Sequence, residues 1–297
     1  MKKIDIHCHT TNRILKDSAN PDARLDAIIA YMKEYDVLQT VVLATYFPHK
    51  GTGISNYRLH HWIKDRPEFA MFGSLDFGCY FYQGFNELEE MASEGLIRGI
   101  KLYTAYQGID FNSDRFKKVA TLASESRLPL MFHGGVSYTL WKQMGTKDVL
   151  ALVSLPDRAN EDYKTPEAFE LVAKEFPRVN IIVSHLCKPF FEEMIEVLNR
   201  NENVFTDVSG ILDSKRDSDY KTVCIEQVNR FIGECGPEKI MFGTDFPVQS
   251  YEDSVYFVEE AMKNYSAKDR QKVYFDNANR IIFAGSLSWP YEQDNAQ

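Results

Sequence analysis

Short apolar runs alternate with amphipathic stretches along almost the whole chain. The runs are KIDIHCH (3–9), QTVVLAT (39–45), AMFGSLD (70–76), IRGIKLY (97–103), LPLMFHG (128–134), VNIIVSHL (179–186), NVFTDVSG (203–210) and KIMFGTDF (239–246). They are rich in Val, Ile and Phe and nearly continuous, as strands covered on both faces of a parallel sheet should be. The intervening stretches carry helical stripes. Leu25, Ile28, Ile29 and Met32 recur at i, i+3, i+4 and i+7. Phe85, Leu88 and Met91 form a second stripe, and Phe116, Val119, Ala120 and Ala123 a third. Thr165-Pro166 reads as an N-cap and first helical residue, with Phe169, Val172 and Phe176 on the buried side. Stretches 189–200, 222–234, 252–264 and 267–283 complete the helices.

Eight β-then-α units predict an α/β fold, a (β/α)8 barrel forming one domain over residues 1–285, with a loose tail over 286–297. A doubly wound open sheet is the rival. It would place a Gly-rich phosphate turn after an early strand, and the sequence has none. The longest connection, Gly135 to Lys164, follows the fifth strand and has the length expected of a lid over the barrel mouth.

The histidines change the picture most. His7 and His9 end the first predicted strand, His133 the fifth and His185 the sixth, and His49 follows the second; only His60 and His61 sit on a presumed helix. In a barrel the carboxyl ends of the strands meet at one mouth, where the chemistry lies. The strand period of two turns Asp5, His7 and His9 inward and Ile4, Ile6 and Cys8 toward the helices. Two His at i and i+2 can grip one metal ion, and imidazole suits Zn, Fe, Co or Mn. Asp245, at the end of the eighth strand, is carried beside them because that strand borders the first.

Composition narrows the partners. The chain has 297 residues, with 34 Lys plus Arg against 43 Asp plus Glu, a formal charge of −9. That balance disfavours nucleic acid and anionic membrane surfaces. Five cysteines are scattered and form no CxxC pair, which fits a reduced, cytoplasmic setting. The start, MKKIDIHCHT, lacks the apolar stretch of a signal peptide, and no apolar run approaches the ~20 residues that span a bilayer.

The pieces DIHCH (5–9), GIKLY (99–103), FHGG (132–135), SHL (184–186), TDVSG (206–210), FGTDFP (242–247) and NANRIIF (277–283) resemble the metal-dependent amidohydrolase superfamily. The closest look is to its amidohydrolase-related (amidohydrolase 2) branch, which includes aminocarboxymuconate semialdehyde decarboxylase, resorcylate-type decarboxylases and lactone hydrolases. The resemblance implies that His7, His9 and His133 bind one divalent ion, Zn2+ first and Mn2+ as alternative, with Asp245 as a further ligand or proton-accepting base. It makes His185 the catalytic histidine. Lys101 matches the fourth-strand lysine, which in binuclear members can be carboxylated; a second set of carboxylate ligands is missing, so the expectation is one ion and a substrate-binding lysine.

The expected reaction is hydrolysis of a small carboxylate-bearing ester, lactone or amide by metal-activated water. Non-oxidative decarboxylation of an aromatic or unsaturated acid is the alternative, and a non-catalytic metal or metabolite-binding barrel a third. Lys101 is read as the cation for a substrate carboxylate, the other reading being an ion pair with Asp76. Tyr103 and Trp141, with Tyr46, Phe47 and Tyr138, are placed at the mouth, for stacking or rim packing. Asp207 and Ser209 share the inward face of strand seven; Asp207 is read as a partner of His185 or of a backbone turn. The expected partner is a small carboxylate, and a homodimer is the analogy from related barrels.

Overall fold

A computed structural model describes residues 1–15, 20–46, 53–136, 163–212 and 218–288. Eight strands each lead to a helix: β1 (Lys3–Cys8), α1 (Leu25–Glu34), β2 (Val37–Leu43), α2 (Asn56–Ile63), β3 (Phe69–Phe72), α3 (Phe81–Ser93), β4 (Ile100–Leu102), α4 (Asp114–Glu125), β5 (Leu130–Phe132), α5 (Pro166–Glu175), β6 (Ile181–Val183), α6 (Phe191–Arg200), β7 (Val204–Asp207), α7 (Ser218–Cys235), β8 (Ile240–Met241) and α8 (Tyr251–Ala261). β1–β2–β3 form one parallel sheet and β4–β5–β6–β7–β8 another. Two seams join them into a closed ring. At one seam Gly73 bridges Ile100, and Lys101 N donates to the Gly73 carbonyl at 2.7 Å. At the other Cys8 bridges Phe246, Ile6 N donates to the Phe242 carbonyl at 3.1 Å and Asp245 N to the His7 carbonyl at 2.7 Å. The fold is the predicted (β/α)8 barrel.

Alternate side chains divide the core in two. Cys8, Val42, Met71, Ile100, Leu102, Leu130, Phe132, Ile181, Val183, Val204 and Ile240 pack outward on the helices. Ile4, Ile6, Val41, Leu43, Phe72, Met131, Ile182, Phe205 and Met241 fill the interior. Phe275, Ala278, Ile281, Ile282 and Phe283 of the closing segment join this inner cluster and floor it. That segment is not the single helix the sequence predicts. Ala267–Gln271 and Asn277–Ile282 are α-helical and Lys272–Asp276 is a π turn. The wider turn has a visible use, because Val273 gives its carbonyl to Phe242 N at 3.0 Å.

The strands are shorter than the apolar runs, since the runs continue into loops that rise to the mouth. The inward reading of Asp5 is also corrected. β1 shifts register against β2 between Asp5 and Cys8. Ile4 and Ile6 therefore face the barrel interior, Asp5 turns toward Tyr251 in the helix layer, and His7 still reaches the mouth. A bulge of this kind breaks the two-residue alternation. The two ends of the long connection after β5 pair with each other, Gly135 with Lys164 and Val136 with Tyr163, antiparallel. The rest of the expected lid, with Trp141 and Tyr138, lies outside the described residues, as do Phe47 and His49. No helix among the described residues is long and apolar enough to cross a membrane.

Candidate metal centre at the barrel mouth

His7 sits near the end of β1 and His9 just past it, while Asp245 lies on the loop four residues beyond β8. Asp245 has φ of 60°, left-handed for an L-residue but tolerated by aspartate. Two features hold that loop. Asp5 Oδ1 accepts from Thr244 N at 3.0 Å and from His7 N at 3.1 Å, and Oδ2 from Thr244 Oγ1 at 2.8 Å. Gly210, at φ 60°, leaves room on the other side; a Cβ there would collide with Asp245 Oδ2. The result is a three-donor set. Asp245 Oδ1 lies 3.4 Å from His7 Nε2 and 3.3 Å from His9 Nε2. His7 is buried; His9 keeps 24% of its side chain exposed, so the set opens to the mouth on one side.

The hydrogen bonds decide which ring nitrogens are free. His7 Nδ1 lies 3.0 Å from Asp207 Oδ2, and a carboxylate only accepts, so Nδ1 carries the proton and Nε2 keeps its lone pair toward Asp245. Two imidazole Nε2 atoms and a carboxylate oxygen converging on one place fit a divalent ion. The next shell of the mouth points the same way. His185 Nδ1 lies 2.9 Å from the Ser209 carbonyl and must donate to it, leaving Nε2 as an acceptor. His133 Nε2 lies 3.1 Å from the Val136 carbonyl and likewise donates, leaving Nδ1 as an acceptor. These two acceptor nitrogens face each other at 3.3 Å. Neutral imidazoles in that pose repel; a cation shared by the two nitrogens, or a proton on His133 Nδ1 that His185 Nε2 accepts, removes the conflict.

His133 therefore stands against His185 (ring centroids 4.7 Å apart), and His185 stands 4.8 Å from the His7 ring. Among the described residues the donor sets within 4.8 Å of one another are His7–His9–Asp245 and His7–His185–Asp207; His133 enters neither. Burial is the leading cause that holds the rings of His7, His133 and His185 well below the ordinary histidine pKa, with nearby cations adding to it. Burial likewise raises Asp5 to about 7, against the hydrogen bonds from Thr244.

Lys101, inward on β4, is fully buried and donates to Ser184 Oγ at 2.9 Å. Burial lowers it to about 8, partly opposed by Asp207 and Asp245. The alternative ion pair with Asp76 is not formed: Asp76 Oδ1 instead accepts from the Gly78 and Cys79 amides at 2.8 and 3.0 Å. Tyr103 is buried, its ring 6.4 Å from His9 and under the Lys101 ammonium at 5.5 Å. Its hydroxyl donates to the Ala44 carbonyl at 2.9 Å. Cys8 packs in the outer layer, His61 is exposed and His60 half-buried on α2, in keeping with the sequence pattern.

At the mouth the structure also departs from the sequence pattern at Asp207 and Lys188. The Asp207 carboxylate reaches the His7 ring and not that of His185, which it holds by the backbone, at 2.9 Å from His185 N. Lys188 is a buried cation that strand-end logic does not single out. It is 3% exposed and donates to the Gly210 carbonyl. Its signal in the sequence is a lysine inside the apolar stretch HLCKPFF.

A closed (β/α)8 barrel with a His/Asp centre at the carboxyl ends of its strands is the class these features define. The chain belongs to the amidohydrolase family, whose model matches residues 4–283. A search of curated proteins returned no match. Solved structures share the fold. An uncharacterized TIM-barrel protein of Bordetella bronchiseptica is 18% identical with TM-score 0.70, covering 97% of this chain and 100% of its own. An amidohydrolase of Burkholderia multivorans with bound zinc is 14% identical with TM-score 0.69, covering 95% and 99%. The 2,6-dihydroxybenzoate decarboxylase of Rhizobium is 14% identical with TM-score 0.64, covering 96% and 100%.

Proposed function

We propose that this protein is a metal-dependent hydrolase acting on a small ester, lactone or amide that carries a carboxylate. The observation that carries the reading is the meeting of the His7–His9–Asp245 set with a buried ammonium, Lys101, inside one barrel mouth. His7, His9 and Asp245 would hold one divalent ion, with zinc favoured because the Burkholderia relative binds it. When bound, such an ion acts as a Lewis acid and lowers the pKa of coordinated water to about 7.

The protein's own groups do the rest. Asp245 accepts the proton of the attacking water and returns it to the leaving group. His185 presents an unprotonated Nε2 into the mouth and orients that water. His133, on the far side of His185, completes the ring of imidazoles. Lys101 pairs with the substrate carboxylate, and the Tyr103 ring, close to both Lys101 and His9, offers an apolar wall.

The same groups serve decarboxylation, and the Rhizobium relative is named for that reaction on a carboxylate substrate. One experiment separates the two. Protein stripped of metal and reloaded with Zn2+ or Mn2+ is screened against carboxylate-bearing lactones, esters, amides and aromatic acids in oxygen-18 water. Hydrolysis puts label into the product. Release of CO2 with no label in the organic product gives the decarboxylase instead. Full activity after verified stripping overturns the metal reading altogether. Asp245→Asn is expected to lower kcat by about 10²–10⁴-fold.

A further inference from the structure

The mouth contains a hydroxyl that bridges three of its titratable side chains. Ser209, two residues past the end of β7, places Oγ 2.9 Å from His7 Nδ1, 2.9 Å from His185 Nδ1 and 2.5 Å from Asp207 Oδ1. It is fully buried, as is Asp207. A hydroxyl has one proton to give. The carboxylate can only accept, so the proton goes to Asp207 Oδ1. Ser209 Oγ is then an acceptor toward both rings, and both Nδ1 atoms must be protonated. The other neighbours agree: His7 Nδ1 also faces Asp207 Oδ2 at 3.0 Å, and His185 Nδ1 also faces the Ser209 carbonyl at 2.9 Å.

We propose that Ser209, polarised by Asp207, is the positioning residue of this site: one hydroxyl accepts from Nδ1 of both His7 and His185, locking the tautomer that Asp207 Oδ2 and the Ser209 carbonyl also favour, so that both rings present Nε2 to the mouth. The inference rests on the metal reading for what the Nε2 atoms do, but not for the tautomers themselves. It also gives the His7–His185–Asp207 set a different meaning. Those three groups lie close enough to form a cation site, yet the Ser209 hydroxyl already stands among all three. They are the back of the centre and not a second one.

The same pair anchors strained backbone. His185, Leu186 and Cys187 follow one another at φ 64°, 51° and 55°, a left-handed run that is strained for residues with a side chain. Asp207 Oδ1 accepts from His185 N at 2.9 Å and from Ser209 N at 3.1 Å, tying that run to the turn after β7. Losing the hydroxyl or the carboxylate thus affects ring tautomer and ring placement together. Both residues act through the rings they hold, which is why the expected signature is in affinity and spectroscopy.

The test begins with the wild-type protein free of metal. Long-range proton–nitrogen-15 spectra of its histidines should show His7 and His185 both as Nδ1–H tautomers; an Nε2–H tautomer at either overturns the proposal and needs no variant. Next, zinc affinity is measured by competition with a chromophoric chelator. Ser209→Ala and Asp207→Asn should each weaken it by about 10–100-fold, the range for lost partners of a metal-binding histidine. Ser209→Thr, which keeps the hydroxyl, should recover most of the loss. Folded Ser209→Ala and Asp207→Asn proteins with affinity within about twofold of wild type would refute it. His9→Ala and Asp245→Ala serve as controls: if they too leave affinity unchanged, the metal reading has failed, and the tautomer spectra still judge the Ser209 proposal separately.

Discussion

Lys101 shows how the role proposed for one residue can cost stability. It occupies the ring of inward positions that Met131, Ile182, Phe205 and Met241 fill on other strands. The gap between an ordinary lysine at 10.5 and about 8 here corresponds to roughly 3 kcal/mol at about 1.4 kcal/mol per pH unit. The sign follows from the lowered value. Below about pH 8 the folded protein carries the buried charge and its full cost; as pH rises through 8 toward 10.5 the folded state sheds the proton first and stability rises. Lys101→Met should therefore raise the melting temperature at pH 7 and flatten its rise between about pH 8 and 10.5. It should also raise KM for a carboxylate substrate by roughly 10–100-fold, the worth of a lost charged hydrogen bond. In the wild type the same KM should climb as pH passes about 8. A KM that stays flat to high pH would remove Lys101 from substrate binding. The lysine is legible in the sequence because an isolated charge between the apolar residues of GIKLY must either be paired or serve the site. Ser209 is legible only as an inward position, since the partners of its hydroxyl come from three separate strands and their loops.

At the scale of elements, Glu170 joins two helices. It lies on α5 and meets Arg200 Nε at 3.1 Å, Asn201 Nδ2 at 3.1 Å and Lys174 Nζ at 3.0 Å, the first two at the end of α6. The Arg200 hydrogen bond is the main cause that lowers its carboxyl to about 2. A depressed carboxylate stabilises above its unfolded value of 4.5, and that contribution fades as pH falls toward 2. Glu170→Gln should cost about 1–2 kcal/mol in urea unfolding at neutral pH. The cost should shrink near pH 3; an equal cost at both pH values would show that packing, not charge, was lost. Element identity is legible throughout: every helical stripe and every apolar run marks a real helix or strand. Two irregularities are not. The β1 bulge reverses Asp5, and the π turn interrupts the closing helix, because each is imposed by a partner distant in sequence, Thr244 for Asp5 and Phe242 for Val273. Local periodicity has no access to such partners.

For the molecule as a whole, the two ends of the barrel separate stability from chemistry. The donor groups gather at the carboxyl ends of the strands, and the inner cluster closes at the opposite end on Phe275, Ala278, Ile281, Ile282 and Phe283. Phe275 is 1% exposed and packs with side chains that come from the strands themselves. Replacing it by alanine leaves a cavity where neither the barrel wall nor the π turn can easily collapse. The expected cost is about 3–5 kcal/mol, as for other buried Phe→Ala changes. In a chain of this size that should lower the melting temperature by roughly 5–15 °C. The site should not notice. Zinc stoichiometry and affinity of the folded Phe275→Ala protein, measured well below its transition, should match wild type. His9→Ala should behave in the opposite way, losing zinc with little change in the metal-free melting temperature, since His9 is partly exposed and belongs to neither apolar cluster. If Phe275→Ala weakened zinc binding in proportion to its loss of stability, floor and mouth would be one cooperative unit. The site would then depend on packing throughout the barrel and not on the few hydrogen bonds that surround it.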